Sequence, residues 1–209
     1  MRDQLLSMLI LQNEMNRKVH DDWIQQNFEW YRAVWLECGE LIDHHGYKWW
    51  KHQETQMEQV RLEVVDIWHF GLSMMFDGRT IEEIADDMIE EIKDQEVGAM
   101  TVLEAAEELA GRVLTRRTFS LQHFWQLMFA VNMDFDDLYR SYIGKNVLNF
   151  FRQDNGYKEG TYIKEWQGRE DNEHLSEILK ELDPTEKGFQ DQVYDALGVR
   201  YDIVKKYIS

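Results

Sequence analysis

Apolar residues recur at helical spacing along most of the chain. Leu5, Met8, Leu9, Met15 and Val19 fall on one side of a helix predicted over 3–19. The same period predicts eight further helices, over 28–45, 55–77, 80–96, 99–114, 119–132, from a cap at Asp134 to about 153, 173–181 and 184–197. Residues 157–172 lack this period and are rich in Tyr, Lys and Gly, so they are predicted to form a loop. The pattern therefore predicts an all-α bundle of about seven to nine helices without a sheet.

Turn signals and charge divide this helical chain into a core and an insert. Asp77-Gly78 is a stop-and-turn signal after the third helix. The two helices that follow carry acidic faces, which are expected to face solvent. We therefore predict one catalytic domain over 1–209, in which 1–77 and 119–172 form the catalytic core and 78–118 form a peripheral helical insert.

Composition narrows the classes of function. The chain has 209 residues, enough for a substantial core, and a formal net charge of −17. Such a charge argues against general binding to nucleic acid or to an anionic membrane, and the apolar run LLSMLIL is too short to span a bilayer. Cys38 is the single cysteine, so no internal disulfide can form. This predicts a cytoplasmic protein in a reducing compartment, with Cys38 as a small buried apolar residue.

Two acidic pairs interrupt strongly apolar helices. Glu37 and Glu40 stand in WLECGELID, and Glu63 and Asp66 stand in RLEVVDIWHF. Residues at i and i+3 project from the same face of a helix, so two neighbouring helices would bring four carboxylates together. Buried carboxylates need protons, basic partners or metal ions. Oxygen-only ligands favour a hard cation, so the pairs predict a Mg²⁺ site, and such a site typically handles phosphates.

Other interpretations of the acidic pairs remain open at this point. Both pairs could be solvated or joined to basic residues in salt bridges. A di-iron carboxylate bundle is a second possibility, but that architecture requires Glu-x-x-His on two helices. Asp66-Ile-Trp-His69 supplies only one histidine, so the acids fit Mg²⁺ better.

A cationic block lies near the C-terminal end of the helical region. In GKNVLNFFRQDNGYK, Lys145, Asn149 and Arg152 fall on one face of a helix, and Tyr157 and Lys164 follow. In so acidic a chain this block is a natural place for phosphate oxygens, although both cations could also be ordinary surface residues. It is not a P-loop, because the glycine and the Ser or Thr of that motif are missing.

Polar and aromatic residues elsewhere are candidates for ligand contacts. Gln12 and Asn16 lie on or beside an apolar stripe, where amides are either satisfied in the core or aimed at a polar ligand. His69 could be a core histidine or a substrate contact. Trp49 and Trp50 in KWWK could stack on a base or sugar, or pack in a core or a dimer interface.

Taken together, these segments closely resemble the dimeric all-α dUTPases, which belong to the MazG-like superfamily of helical nucleoside-triphosphate pyrophosphohydrolases. The resemblance rests on the two acidic segments, on YIGKNVLNFFRQDNGYKEGTY, and on W-x-G-x-EDN, and it extends from LQNEMN at 11–16 to EDN at 170–172. The acidic pattern indicates only the superfamily, whereas the block from 144 to 158 is much more specific to this branch.

The resemblance implies roles for the metal and base residues. The two acidic pairs correspond to the Mg²⁺ ligands and catalytic acids of the family. Glu37 is the preferred residue to orient or deprotonate the attacking water. Gln12, Asn16 and Asn149 correspond to the amides that contact uracil.

The resemblance also implies contacts to the sugar and the phosphates. His69 and a tryptophan of KWWK, taken as Trp50, correspond to groups around the deoxyribose. Residues of the C-terminal block correspond to contacts with the phosphate chain, and the candidates are Lys145, Arg152, Asn155, Tyr157 and Lys164.

The expected function is a dUTP diphosphatase that uses Mg²⁺ to hydrolyse dUTP, and dUDP as well, to dUMP. This activity limits uracil in DNA and supplies dUMP. By the resemblance, the enzyme is a homodimer that binds a nucleotide substrate but neither nucleic acid nor membrane. A MazG-like pyrophosphohydrolase for another nucleotide such as dCTP remains an alternative. A regulatory dimer that binds nucleotides without turnover is the non-enzymatic alternative.

Overall fold

The chain is 70% helical in the computed structural model, which describes residues 1–93, 97–183, 186 and 188–208. Within these residues, nine helices confirm the all-α prediction. Their bounds are α1 Arg2–Val19, α2 Trp30–His45, α3 Met57–Met75, α4 Ile81–Lys93, α5 Val102–Arg116, α6 Leu121–Ala130, α7 Phe135–Asp154, α8 Asp171–Glu181 and α9 Phe189–Ile208.

Most helix ends agree with the sequence prediction to within a few residues. The Asp134 side chain accepts a hydrogen bond from the Asp137 amide at 2.7 Å, which confirms the predicted cap of α7. Residues 94–96 of one predicted helix and residues 184, 185 and 187 of another lie outside the described residues. The last helix begins at Phe189 and continues well beyond the predicted end at 197, to Ile208.

A small sheet corrects the prediction that residues 157–172 form only a loop. Strands β1 (Glu165–Trp166) and β2 (Arg169–Glu170) pair antiparallel, with Trp166 opposite Arg169. Gln167 and Gly168 form the turn with φ of 53° and 80°, the positive values that a two-residue hairpin of type I′ requires. Strands of two residues leave no alternating pattern in a sequence, so periodicity could not reveal them.

The chain forms two compact units, Met1–Tyr139 and Arg140–Ser209. In the first, α2 packs along α3, α1 packs against α3 and α4, and α5 packs against α2 and α6. Trp68 and Phe124 stack at 4.6 Å between ring centroids in its core. The helices of the segment 78–118 therefore contribute to the packing of this unit, while the peripheral role of that segment within one catalytic domain stays a prediction.

The second unit is organised around buried aromatic rings. Trp166 of the hairpin is fully buried, and its ring lies 5.3 Å from that of Tyr201 on α9. Tyr162 stacks on Tyr201 at 5.2 Å, and Phe151 of α7 contacts the same cluster edge-on. These contacts join α7, the hairpin and α9.

In the described part of the chain, no helix is long and apolar enough to cross a membrane.

Candidate active site

Three of the four predicted acids meet in the first unit. Oxygen atoms of Glu37, Glu63 and Asp66 all lie within 4.8 Å of one another. The pairing of α2 with α3 produces this cluster, because the two apolar helices bury their facing sides and carry the acids with them. Glu63 is only 3% exposed, which confirms that it occupies a position where an apolar residue is expected. Glu40 is exposed and is not part of this three-acid group.

Burial and the neighbouring negative charges within the three-acid group favour the protonated form of Glu37. Burial raises the pKa of Glu37 to about 9, and the negative charges of Asp66, Glu63 and Glu40 add to the effect. Nε2 of His44 lies 3.4 Å from a Glu63 oxygen. Cys38 is buried between the two acids of α2, as expected, and burial together with the charge of Glu37 raises the pKa of its thiol to about 12.

The donor set of the three-acid group fits a hard divalent cation. Its members offer carboxylate oxygens only, converging within a span that a single small ion can bridge. Burial is the main cause of the raised pKa of Glu37, and the charges of the neighbouring acids add to it, so a cation bound here would favour the ionised carboxylate. The solvated-acid interpretation does not account for a glutamate as deeply buried as Glu63.

Two of the three predicted base-reading amides, Gln12 and Asn16, form a buried hydrogen-bond network between α1 and α3, and the third, Asn149, lies on α7 and is not part of it. The Gln12 amide nitrogen donates to Asn16 Oδ1 and to Ser73 Oγ, both at 3.1 Å, and the Asn16 amide nitrogen donates to Ser73 Oγ at 2.9 Å. His69 Nδ1 lies 2.7 Å from Gln12 Oε1. Ser73 in turn donates to the His69 carbonyl at 3.0 Å. The network brings together Gln12, Asn16 and His69, three of the residues that the sequence singled out.

An aromatic cavity adjoins this network. Its volume is about 340 Å³, and Ser73 is part of its wall. Half of the remaining lining residues are aromatic, namely Trp23, Phe28, Trp30, Tyr31 and Phe76, and Arg117 also lines the cavity. Aromatic side chains beside polar groups such as Ser73 can hold a small planar ligand.

The predicted sugar contact lies in an exposed loop after α2. Trp50 is 60% exposed, and its ring meets those of Tyr47 and Trp49 edge-on. The loop 46–53 and Leu103 line a second cavity. The core-packing interpretation of Trp50 is therefore wrong, and its role in binding stays a prediction.

In the second unit, the two cations of the predicted phosphate block have buried partners. Lys145 Nζ donates to Asn172 Oδ1 at 2.8 Å. Arg152 forms two hydrogen bonds with Asp171, at 2.7 and 2.8 Å, and a longer one with Asn149 at 3.3 Å. Lys145 is buried, so the ordinary-surface interpretation does not apply to it.

The remaining candidates of this unit lie closer to solvent. Asn155 donates to the Phe151 carbonyl at 2.9 Å and precedes Gly156, whose φ of +90° makes the predicted turn. Tyr157 is exposed, with its ring 6.0 Å from the guanidinium of Arg152. Lys164 is half-exposed and pairs with Glu170 at 3.2 Å.

Sequence reasoning missed several groups that complete these networks. Ser73 is one helical turn beyond His69, and its small hydroxyl in an apolar helix was the available signal. Asp171 and Asn172 stand in the EDN motif, but neither was assigned a role. An acid and an amide at the first turn of a helix are usually attributed to capping, which concealed their contacts with cations.

Comparisons with known proteins identify the family of the chain. A search among curated proteins finds no match to the chain. A family model described as dUTPase matches residues 4–157, about three quarters of the sequence. The match includes all four predicted acids, the amide network and the block from Lys145 to Tyr157. The chain belongs to the dUTPase family in its all-α branch, the dUTP diphosphatases, which are hydrolases of nucleoside triphosphates.

Proposed function

We propose that the protein hydrolyses dUTP to dUMP and pyrophosphate, and dUDP to dUMP and phosphate, with Mg²⁺ as the cofactor. The convergence of Glu37, Glu63 and Asp66 in a chain of this family is the observation that carries the proposal. We further propose that the enzyme acts as a cytoplasmic homodimer and binds neither nucleic acid nor membrane. A charge of −17 supports the exclusion of nucleic acid.

The three-acid group is proposed as the metal site, with Glu40 as a fourth ligand one turn beyond Glu37. Bound Mg²⁺ would polarise phosphoryl oxygens and lower the pKa of a bound water. Glu37 is proposed to orient or deprotonate the attacking water. Its raised pKa means that Glu37 holds a proton until positive charge enters the group, since an opposite charge nearby favours the ionised form.

Uracil is proposed to bind in the aromatic cavity beside the amide network. Ser73 supports this placement, because it is part of the cavity wall and also bonds to both Gln12 and Asn16. Fixed amides can read the oxygen and N–H edge of the base, and the shape of the cavity would exclude other bases. His69 and Trp50 are proposed to contact the deoxyribose.

The cationic residues of the second unit are proposed to bind the phosphate chain. Lys145, Arg152 and Lys164 would offset the charge that develops on phosphoryl oxygens, and Tyr157 would contact the same chain. Asn149 and Asn155 are proposed as amide contacts to the nucleotide. These assignments rest on the charge of the block and, up to Tyr157, on its match to the family, whereas Lys164 lies beyond the matched range and rests on its charge and the resemblance alone.

A nucleotide panel tests the proposed function. Purified protein with Mg²⁺ should release pyrophosphate from dUTP far faster than from dCTP, dTTP or UTP, and chelation by EDTA should abolish the release. Equal rates with all four nucleotides would remove the dUTP assignment. Binding of dUTP without turnover would instead support a regulatory protein.

A further inference from the structure

We propose that Asp171 is a positioning residue that sets the orientation of the Arg152 guanidinium toward the phosphate chain of the substrate. This inference rests on the proposed function, because it assumes that Arg152 contacts phosphate. Asp171 itself is not a catalytic residue. It acts through Arg152.

Arg152 and Asp171 form a bidentate salt bridge. Arg152 Nε donates to Asp171 Oδ2 at 2.8 Å, and Nη2 donates to Oδ1 at 2.7 Å. Two parallel charge-assisted hydrogen bonds define both the position and the plane of a guanidinium. The Asp171 side chain is fully buried and that of Arg152 is 11% exposed, so water screens this pair only weakly.

Asp171 is held in place independently of Arg152. The Tyr162 hydroxyl donates to Asp171 Oδ2 at 2.8 Å, and the Asp171 amide donates to the Lys164 carbonyl at 3.0 Å. Asp171 is the first residue of α8, where the helix dipole favours a negative charge. The hairpin just before α8 is fixed in turn by His174, whose Nε2 lies 3.0 Å from the Trp166 carbonyl. The carboxylate is therefore part of a rigid frame.

The charge of Asp171 is maintained despite its burial. Burial favours the neutral acid, but the hydrogen bonds from Arg152 and Tyr162 and the charges of Arg152 and Lys145 outweigh it and hold the pKa of Asp171 below its usual range. The carboxylate therefore stays ionised and keeps both hydrogen bonds to the guanidinium throughout the neutral pH range.

The bidentate salt bridge determines which edge of the Arg152 guanidinium is left for a ligand. Asp171 occupies the edge formed by Nε and Nη2, so a phosphate oxygen must approach from the side of Nη1, which lies 3.3 Å from Asn149 Oδ1. The next residue, Asn172, accepts a hydrogen bond from Lys145. Two consecutive residues at the start of α8 thus orient two of the three proposed phosphate-binding cations, Arg152 and Lys145.

The test compares ligands with and without phosphates. Asp171→Asn keeps the size of the side chain but removes its charge. We expect this variant to bind a non-hydrolysable α,β-imido analogue of dUTP about tenfold or more weakly, while deoxyuridine binds as in the wild type. The kcat/KM for dUTP should fall in parallel, and Tyr162→Phe should show a smaller effect of the same kind. Glu177→Gln is the matched control, because Glu177 is a partly exposed acid on the same helix and its ion pairs, among those found, are with Arg169 and Arg200.

A double-mutant cycle separates positioning from general support of the fold. In an Arg152→Gln background, Asp171→Asn should cause little further loss of analogue binding, because its partner is already gone. Fully additive losses, equal losses for the analogue and deoxyuridine, or no loss for either would overturn the proposal. If Asp171→Asn does not fold, the comparison is made with Tyr162→Phe, and unchanged analogue binding in that variant has the same consequence. A wild-type protein that binds the analogue but turns over no nucleotide would remove the proposed function alone, whereas one that does not bind it would remove both.

Discussion

Replacing Glu63 by glutamine should stabilise the metal-free protein while abolishing its activity. Glu63 is buried within a group of three acids whose oxygens lie within 4.8 Å of one another. Glu37 holds a proton at neutral pH, since its pKa is about 9, so repulsion between Glu63 and Asp66 remains. At an effective dielectric constant of about 20, two charges at this separation repel by roughly 3 kcal/mol.

The net gain from this substitution is smaller than the repulsion. Glutamine keeps the size of the side chain, but it weakens the hydrogen bond with Glu37 and the contact with His44, at a cost of about 1 kcal/mol each at most. We therefore expect the free energy of unfolding in EDTA to rise by about 1 to 2 kcal/mol. For a chain of this length that corresponds to about 2 to 8 °C in Tm.

The assay measures Tm by differential scanning fluorimetry in EDTA and across a titration of Mg²⁺, alongside dUTP turnover. Mg²⁺ should raise the Tm of the wild type, because a ligand that binds only the folded state stabilises it. The Glu63→Gln variant should lose most of this increment and at least about a hundredfold in turnover. Glu58→Gln is the control, since it changes an exposed acid in the first turn of the same helix. A Tm lowered in EDTA together with retained Mg²⁺-dependent turnover would falsify the assignment of these acids to a metal site.

Three further predictions concern packing, acid stability and base recognition. Gly71→Ala should lower the free energy of unfolding by about 1 to 3 kcal/mol, because a Cβ at Gly71 would lie 2.4 Å from the Phe119 ring. Gly111→Ala on α5 is the control: its Cβ would meet nothing within 4 Å, so the free energy of unfolding should rise by up to about 1 kcal/mol. Chemical denaturation measures both changes. The pKa of Asp171 is lower in the folded than in the unfolded state, so its contribution to stability is present above about pH 4 and is lost as the pH falls through the folded pKa. The Tm difference between wild type and Asp171→Asn should accordingly be large at pH 7 and shrink below pH 4, and a difference independent of pH would contradict this. Ser73→Ala should raise the KM for dUTP and reduce the preference over dCTP with little change in the circular dichroism spectrum, and steady-state kinetics with both nucleotides checks it.

The helices and the acid cluster could be predicted from the sequence, because both depend on the spacing of residues within single helices. Apolar spacing defines which side of α3 is buried, and an acid at Glu63 stands out against that spacing. The partners of the cations were not accessible in the same way. Arg152 and Asp171 are nineteen residues apart, joined by a hairpin that has no periodic pattern. The exposure of Glu40 could not be predicted either. Residues at i and i+3 lie on one face of a helix, but this spacing does not show how much of that face a neighbouring helix buries.

The order of groups along α3 gives the proposed site a fixed geometry. Glu63 and Asp66 belong to the three-acid group, and His69 and Ser73 follow at successive turns as part of the amide network. At a rise of 1.5 Å per residue, the separation of ten positions between Glu63 and Ser73 corresponds to roughly 15 Å. The helix is buried along most of this length, so it cannot bend without disrupting its packing. A single rigid helix therefore sets the distance between the proposed metal and the proposed base. For this reason selectivity for the base and activation of the phosphate can be coupled without any contact between the two groups of residues.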